Sequence, residues 1–266
     1  MEGPEDEALS KNIKIVPDGD LILVVGPEKA RLRVHSLFLK TVSKHFSAMF
    51  KPVWKEGHNM IGQDSPVELP LPEDDAATLE LICAVIHHQV KLVPQTLSPD
   101  KLLKVAIMVD KYDCVDSLNS ASASWFRSCK AEAEDLMRVA AAAYLFNNAQ
   151  AFKESTKALI LNYGGSYLAL PYEDIKSIIP WRIFLLLEEQ RSFVRLKIAG
   201  VILNPNDPSI SCIYSYEKNV EYRWDNASRY TTNGRSRLVE MDDSIGLCLH
   251  CFRSGSTESS YCRKKH

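Results

Sequence analysis

Apolar residues form short extended patterns near the start of the chain and recur at helical spacing over much of the remainder. Residues 21–25 form an apolar run that follows a turn signal, and residues 30–34 alternate apolar with basic side chains. A short apolar run bounded by turn residues and a strict alternation are both typical of β-strands. The two stretches therefore predict a β-hairpin, and a third short strand is predicted over residues 67–69.

Helices are predicted on either side of that third strand. Residues 36–50 carry apolar side chains at helical spacing, and Ser43 in their middle is placed to cap a second short helix. Two later helices begin at capping residues, which are Asp74 or Asp75 and Ser98. Residues 130–190 are helical in pattern, and residues 181–203 predict one long helix that ends before Asn204-Pro205. The chain is therefore predicted to belong to the α+β class.

Charge and cysteine content divide the chain into unlike parts. The 266 residues carry a net charge of −2, but residues 191–266 hold 12 Lys and Arg against 8 Asp and Glu. Four of the seven cysteines also lie in this last part of the chain. We therefore predict a disordered acidic leader over residues 1–17, a mixed domain over 18–126, a helical segment over 127–203, and a small irregular cysteine-containing tail over 204–266.

Several classes of protein are disfavoured by what the sequence lacks. The first twenty residues carry acids and no apolar core of a secretory signal, and no apolar run reaches the roughly 18 residues of a membrane helix. The chain is therefore expected to be intracellular, in the cytoplasm, the nucleus or both, with reduced thiols. Its near-neutral total charge makes nucleic acid an unexpected partner. No nucleotide-binding loop, nucleophile motif or zinc-protease motif is found, so we do not expect an enzyme.

Three stretches of sequence together resemble the BTB/POZ domain. They are Asp18-Gly19-Asp20-Leu21-Ile22-Leu23-Val24-Val25, Val34-His35-Ser36-Leu37-Phe38-Leu39 and Ser43-Lys44-His45-Phe46-Ser47-Ala48-Met49-Phe50. Asp20 and His35 fall where that family places an Asp and a His, and the match covers residues 18–126. The whole chain is similar to filamentous-fungal BTB proteins that carry a helical segment and a short cysteine-containing tail. The resemblance implies a BTB/POZ fold and a protein–protein interaction module, in which we expect His35 to be structural rather than catalytic.

A hydrophobic–x–acid element follows the second short helix. Trp54 and Glu56 match the element that cullin-binding BTB proteins carry near this place. The resemblance implies a cullin scaffold as partner and a role as substrate adaptor of a cullin-based ubiquitin ligase. The aromatic side chain would fill a pocket on the partner and the acid would pair at its rim. A loop tryptophan packed on its own domain is the alternative, and the sequence leaves both open.

Self-association is the other role that the resemblance implies. In BTB dimers the first helices pack together, which makes Leu37, Phe38, Met49 and Phe50 the candidate interface residues. Use of the same residues in the domain's own core explains their apolar character without a partner. Dimeric members often swap an extra N-terminal strand, which residues 1–17 look too acidic to supply, although residues 12–16 are a possible short strand. Monomer and homodimer both stay open.

The tail holds residues with the types and spacing of a structural zinc site. Cys248 and Cys251 form a Cys-x₂-Cys knuckle, Cys262 follows after ten residues and His266 after three more. Four such ligands close a tetrahedron and leave no position for catalysis. A second Cys-x₂-Cys pair is absent, so a tail whose thiols bind no metal is the alternative. With metal, the chain is alternatively a zinc-stabilised nuclear regulatory protein that acts near nucleic acid through self-association.

Overall fold

The computed structural model describes residues 12–51, 65–129, 131–132, 135–170, 173–203 and 245–255. The chain divides into a first unit, Met1–Ala131 with Leu145–Asn147, and a second unit, Glu132–Tyr144 with Asn148–His266. A small sheet and helices make up the first unit, and helices predominate in the second. The predicted α+β class is therefore confirmed, whereas the predicted domain boundaries at residues 126 and 203 stay predictions.

Among the described residues of the first unit, four strands form one sheet in the order β1-β3-β2-β4. The strands are β1 (Asn12–Lys14), β2 (Leu21–Val25), β3 (Ala30–Val34) and β4 (Val67–Leu71). The predicted hairpin is confirmed, because β2 and β3 pair antiparallel with Leu23 opposite Leu32. The short strand β4 pairs parallel with β2 and places Leu69 beside Leu23. All three leucines are buried, so they begin the core of this unit.

The first strand, β1, lies within the segment predicted as a disordered leader. It pairs parallel with β3, and Ile15 and Val16 after it are buried. Residues 12–14 thus form a strand within the short-strand alternative that the sequence left open, and the predicted disorder does not hold for residues 12–16. Gly19 lies in the loop between β1 and β2, and a Cβ atom there would overlap the main chain of Val34 in β3, so the close approach of this loop to β3 requires glycine.

The helices of the first unit begin where the sequence places capping residues. They are α1 (Ser36–Val42), α2 (Lys44–Met49), α3 (Ala76–Ile86), α4 (Pro99–Lys111) and α5 (Val115–Ser128), with a 3₁₀ turn at Val90–Leu92. The side chains of Ser43, Asp75 and Ser98 each accept a main-chain N–H of the first turn of α2, α3 and α4. The predicted caps are therefore confirmed, with Asp75 rather than Asp74 as the cap of α3.

Helices also account for most of the described residues of the second unit. They are α6 (Leu136–Leu145, in this unit as far as Tyr144), α7 (Ala149–Asn162), α8 (Glu173–Ile178), α9 (Trp181–Leu203) and α10 (Leu249–Arg253), with a 3₁₀ turn at Tyr167–Ala169. The single long helix predicted over residues 181–203 is confirmed as α9. The short helix α10 was not foreseen, because the tail was predicted to be irregular. None of the described helices is both long and apolar enough to cross a bilayer.

Candidate interaction surface

Helix α1 presents apolar side chains to solvent. Leu37 is 69% exposed and Phe38 is 42% exposed, whereas the next residue, Leu39, is fully buried. Successive residues of a helix point about 100° apart, so Leu39 can anchor α1 to the core while Leu37 and Phe38 remain exposed. Large apolar side chains that remain in water at one place are typical of an interaction surface. We call the surface formed by Leu37 and Phe38 the α1 face.

The start of α1 is held by Asp20, which lies just before strand β2. One carboxylate oxygen of Asp20 accepts the Ser36 main-chain N–H at 2.7 Å, and the other accepts the Ser36 hydroxyl at 2.6 Å. Burial on its own would raise the pKa of Asp20, but the hydrogen bonds from Ser36, together with an Asp20 main-chain hydrogen bond and the nearby His35, leave that pKa below its ordinary value. The carboxylate is therefore ionised at neutral pH, when these hydrogen bonds are strongest.

A buried histidine holds the preceding residue of the same corner. Nε2 of His87 accepts the main-chain N–H of His35 at 3.0 Å, and Nδ1 of His87 lies 2.8 Å from the Cys83 carbonyl oxygen. A carbonyl oxygen only accepts, so the hydrogen bonds assign the proton of the neutral ring to Nδ1. Burial lowers the pKa of His87, which favours this neutral form. The ring of Phe38 packs 5.1 Å from that of His87, so the histidine supports the α1 face directly.

His35 itself lies at the corner between β3 and α1, where a structural histidine was expected. It is the N-cap residue of α1 and makes no side-chain capping hydrogen bond there. Its ring lies 3.4 Å from a carboxylate oxygen of Asp18 and 6.0 Å from the ring of Phe38. These contacts are consistent with the structural role that was expected for His35 at this corner.

The four candidate interface residues do not share one environment. Leu37 and Phe38 face solvent, Met49 at the end of α2 is half-buried, and Phe50 is buried. The ring of Phe50 stacks on that of Phe46 at 5.7 Å, inside the first unit. Any interface built by these residues in this conformation therefore depends on Leu37 and Phe38 first.

Asp74, which the sequence predicted only as a possible helix cap, has a buried carboxylate just before α3. The Tyr112 hydroxyl donates to one Asp74 oxygen, and Lys111 Nζ lies 2.6 Å from the other. The Ser43 hydroxyl in turn donates to the Tyr112 carbonyl oxygen at 2.5 Å. Burial and the neighbouring Asp74 raise the pKa of Tyr112, so its hydroxyl keeps the proton that it donates. This network ties the end of α4 to the residues that precede α3 and to the corner between α1 and α2.

The remaining candidate residues lie partly outside the described parts of the chain. Trp54 and Glu56 are outside them, as are Cys262 and His266. Cys248 is the half-buried N-cap of α10, Cys251 is buried, and the Cys248 sulfur accepts the Cys251 main-chain N–H at 3.5 Å. No group of three or more metal-binding side chains is found among the described residues. That search reaches only two of the four predicted zinc ligands, so the zinc site stays a prediction.

Comparison with known proteins adds no relative to this picture. No protein-family model matches the chain, and a search of curated proteins finds none that is significantly similar. The resemblance to BTB/POZ domains therefore depends on the sequence stretches quoted above, and it stays a prediction.

Proposed function

We propose that this chain is a protein–protein interaction module of the BTB/POZ type and that it self-associates through the α1 face. The observation that carries the proposal is the exposure of Leu37 and Phe38 on a helix whose other side is anchored by Leu39. Asp20 and His87 hold the first residues of the corner in place. The surface is therefore pre-organised, which reduces the entropy cost of binding a partner.

A second copy of the chain is a suitable partner for such a surface. In a two-fold dimer the same patch meets itself, so each copy contributes one leucine and one phenylalanine. Moving such a side chain from full exposure to full burial is worth roughly 1.5–3 kcal/mol. Because Phe38 is already more than half covered, its own gain is smaller, and Leu37 at 69% exposure has more to gain. Aromatic side chains at the centre of an interface often dominate its binding energy.

Sedimentation equilibrium of the full chain tests self-association. We expect the wild type to dimerise and Leu37→Glu to remain monomeric, because a charge buried at the centre of an interface lacks a partner. Leu168→Glu is the matched control, since Leu168 has the same 69% exposure but lies in the second unit. Circular dichroism checks that all three chains are folded. A monomeric wild type, or a Leu37→Glu variant that dimerises like the control, would contradict the proposal.

The more specific form of the proposal is a substrate adaptor of a cullin-based ubiquitin ligase. Its support is the match of Trp54 and Glu56 to the hydrophobic–x–acid element of cullin-binding family members. A pull-down with a purified cullin N-terminal domain compares the wild type with Trp54→Ala/Glu56→Ala. Trp181→Ala is the control, because this tryptophan is 74% exposed in the second unit. We expect only the double variant to lose the cullin, and absence of cullin from the wild type would reject the adaptor role alone.

A zinc-stabilised regulatory protein of the nucleus is the second proposal. The observation that favours it is that Cys248 and Cys251 lie three residues apart at the start of α10, the sequence spacing of a zinc knuckle, with the Cys248 sulfur 3.5 Å from the Cys251 main-chain nitrogen. Metal analysis of the full chain and of Cys248→Ser tests the site, with Cys83→Ser as a buried control in the first unit. We expect one zinc per chain, lost only in Cys248→Ser. Salt-dependent DNA binding then tests the regulatory role.

A further inference from the structure

Residues 245–255 pack against the second unit through their main chain, and we call them the docked segment. Gln190 of α9 is only 1% exposed, and its side-chain amide spans Gly246: Oε1 accepts the Gly246 N–H at 3.0 Å and Nε2 donates to the Gly246 carbonyl at 3.5 Å. The Thr156 hydroxyl of α7 accepts the Leu247 N–H at 2.9 Å. Hydrogen bonds to the main chain of a bound peptide contribute affinity in peptide recognition, and here the side chains of Gln190 and Thr156 make them.

Four apolar side chains of the docked segment are buried. They are Ile245, Leu247, Leu249 and Cys251, and Gly246 between the first two is buried as well. Cys248 is half-buried and His250 is exposed. We call the surface of α7 and α9 that the segment covers, together with Tyr144 of α6, the groove. Because pockets for particular side chains give peptide recognition its sequence specificity, the groove selects a pattern of residues, first in the non-helical part before Cys248 and then along α10.

Gly246 fixes the closest approach in the groove. Its φ of +103° lies in a region that favours glycine, and a Cβ atom there would lie 2.5 Å from the Lys153 carbonyl oxygen of α7. A larger residue would force the segment away from Gln190 and Thr156. The preferred ligand is therefore an aliphatic–glycine–aliphatic sequence.

Arginine and aromatic side chains hold the far end of the docked segment. The Arg253 guanidinium lies 4.9 Å from the centre of the Tyr144 ring and donates to the Tyr144 carbonyl oxygen at 2.6 Å. Arg182 of α9 lies 5.8 Å from the ring of Phe252. Cation–π contacts of this kind add a polar requirement to the apolar one.

We propose that this groove is a peptide-docking site and that the docked segment is its tethered ligand. The segment is joined to α9 through residues 204–244, whose fully extended reach is up to roughly 135 Å. The covalent connection therefore does not determine where the docked segment lies. Its position is determined by the contacts with Gln190, Thr156 and Lys153. A separate peptide of the same chemistry, aliphatic–glycine–aliphatic followed by a helical turn, competes for the groove. This site lies in the second unit and does not depend on the proposed function of the α1 face.

The test cuts the chain between α9 and the docked segment, so that the segment is no longer covalently attached. A site for a specific protease is inserted within residues 204–244 of the full chain, the purified chain is cut, and a fluorescent peptide of residues 245–255 is added. We expect the peptide to exchange into the cut chain and to bind the uncut chain more weakly, because there the tethered segment competes. A Gly246→Ala peptide is expected to bind roughly 5- to 150-fold more weakly, because the added methyl group would overlap the Lys153 main chain. A Gly255→Ala peptide is the matched control, because Gly255 also has positive φ but a Cβ there meets nothing within 4 Å.

Two results would overturn the proposal. One is equal binding of the wild-type and Gly246→Ala peptides, and the other is no binding of either. Hydrogen exchange of the intact chain gives a second measurement that needs no cut. Gln190→Ala should speed the exchange of the Gly246 amide, which donates to the Gln190 side chain, while the amides of α4, in the first unit, keep their rates. An unchanged rate at Gly246 in this variant would also count against the groove.

Discussion

Replacing Tyr112 with phenylalanine tests whether the buried Asp74 network stabilises the first unit. The substitution removes one hydroxyl group and leaves the ring, which stacks on Phe46 at 4.5 Å. The hydroxyl donates to Asp74, whose side chain is 4% exposed and whose other oxygen contacts Lys111. The change therefore isolates one hydrogen bond to a buried carboxylate and preserves the aromatic packing around it.

The expected loss follows from the charge and burial of the acceptor. A hydrogen bond to a charged group is worth about 1.5–3 kcal/mol, and removing the donor leaves the Asp74 oxygen without that partner. With a urea dependence of about 2 kcal/mol per molar, the unfolding midpoint of the first unit should fall by about 1 M. Little is added by cavity formation, because only an oxygen atom is removed.

Urea unfolding of the full chain, followed by circular dichroism and tryptophan fluorescence, measures this change. Trp125 is buried in the first unit and reports on its unfolding. Tyr144→Phe is the control, since the Tyr144 hydroxyl makes no hydrogen bond within the described parts of the chain, and it should leave the midpoint unchanged. If Tyr112→Phe unfolds within 0.5 kcal/mol of the wild type, a margin usual for surface substitutions, the Asp74 network does not stabilise the unit as argued.

Three further experiments test other parts of the first unit. Gly19→Ala should destabilise this unit by about 2 kcal/mol or more, because the methyl group would overlap the main chain of β3. Gly164→Ala is the control, because a methyl group there meets open space, and equal urea midpoints for the two variants would contradict the argument. Burial lowers the pKa of His87, so the unfolded state binds more protons and wild-type stability should fall as the pH drops below about 6.5, the ordinary value for histidine. His87→Gln should flatten that dependence in urea unfolding between pH 5 and 7, and parallel curves would reject the assignment. Burial raises the pKa of Cys83 and raises that of Cys114 to about 12. Both thiols should resist iodoacetamide in the native chain and react in urea, as peptide mass mapping can show, and rapid native alkylation would exclude this protection.

Local sequence patterns were enough for most of the elements but not for the contacts that place them. Short-range signals predicted the hairpin, the Ser43 cap and the long helix α9, because each depends on residues close together in sequence. Strand β1 was foreseen only as a possible short strand inside an acidic, polar leader, because its pairing with β3 comes from tertiary context that no local pattern contains. Segment 245–255 was missed for the same reason, since its partner groove lies in helices α6, α7 and α9.

For the α1 face, the sequence could name candidate residues but could not predict which of them are exposed. The resemblance to BTB dimers suggested Leu37, Phe38, Met49 and Phe50 together, but the sequence could not tell which of them face inward. The structure separates them, because Phe50 stacks on Phe46 while Leu37 and Phe38 face solvent. A helix-face pattern in so short a helix leaves the direction of each side chain to its tertiary neighbours.

Both candidate interaction surfaces are positioned in the same way: a side chain from a distant part of the chain accepts a hydrogen bond from a main-chain N–H group. Asp20 pairs the Ser36 N–H at the start of α1, and Gln190 pairs the Gly246 N–H in the docked segment. At the buried Gly246, loss of the acceptor leaves an unpaired N–H that costs roughly 1–3 kcal/mol, whereas the Ser36 N–H is exposed and loses less because water can replace Asp20. The polar residues therefore control where each surface lies, although the apolar residues make the contacts. Substitution of Asp20 or Gln190 should weaken binding by displacing a surface whose own chemistry is unchanged.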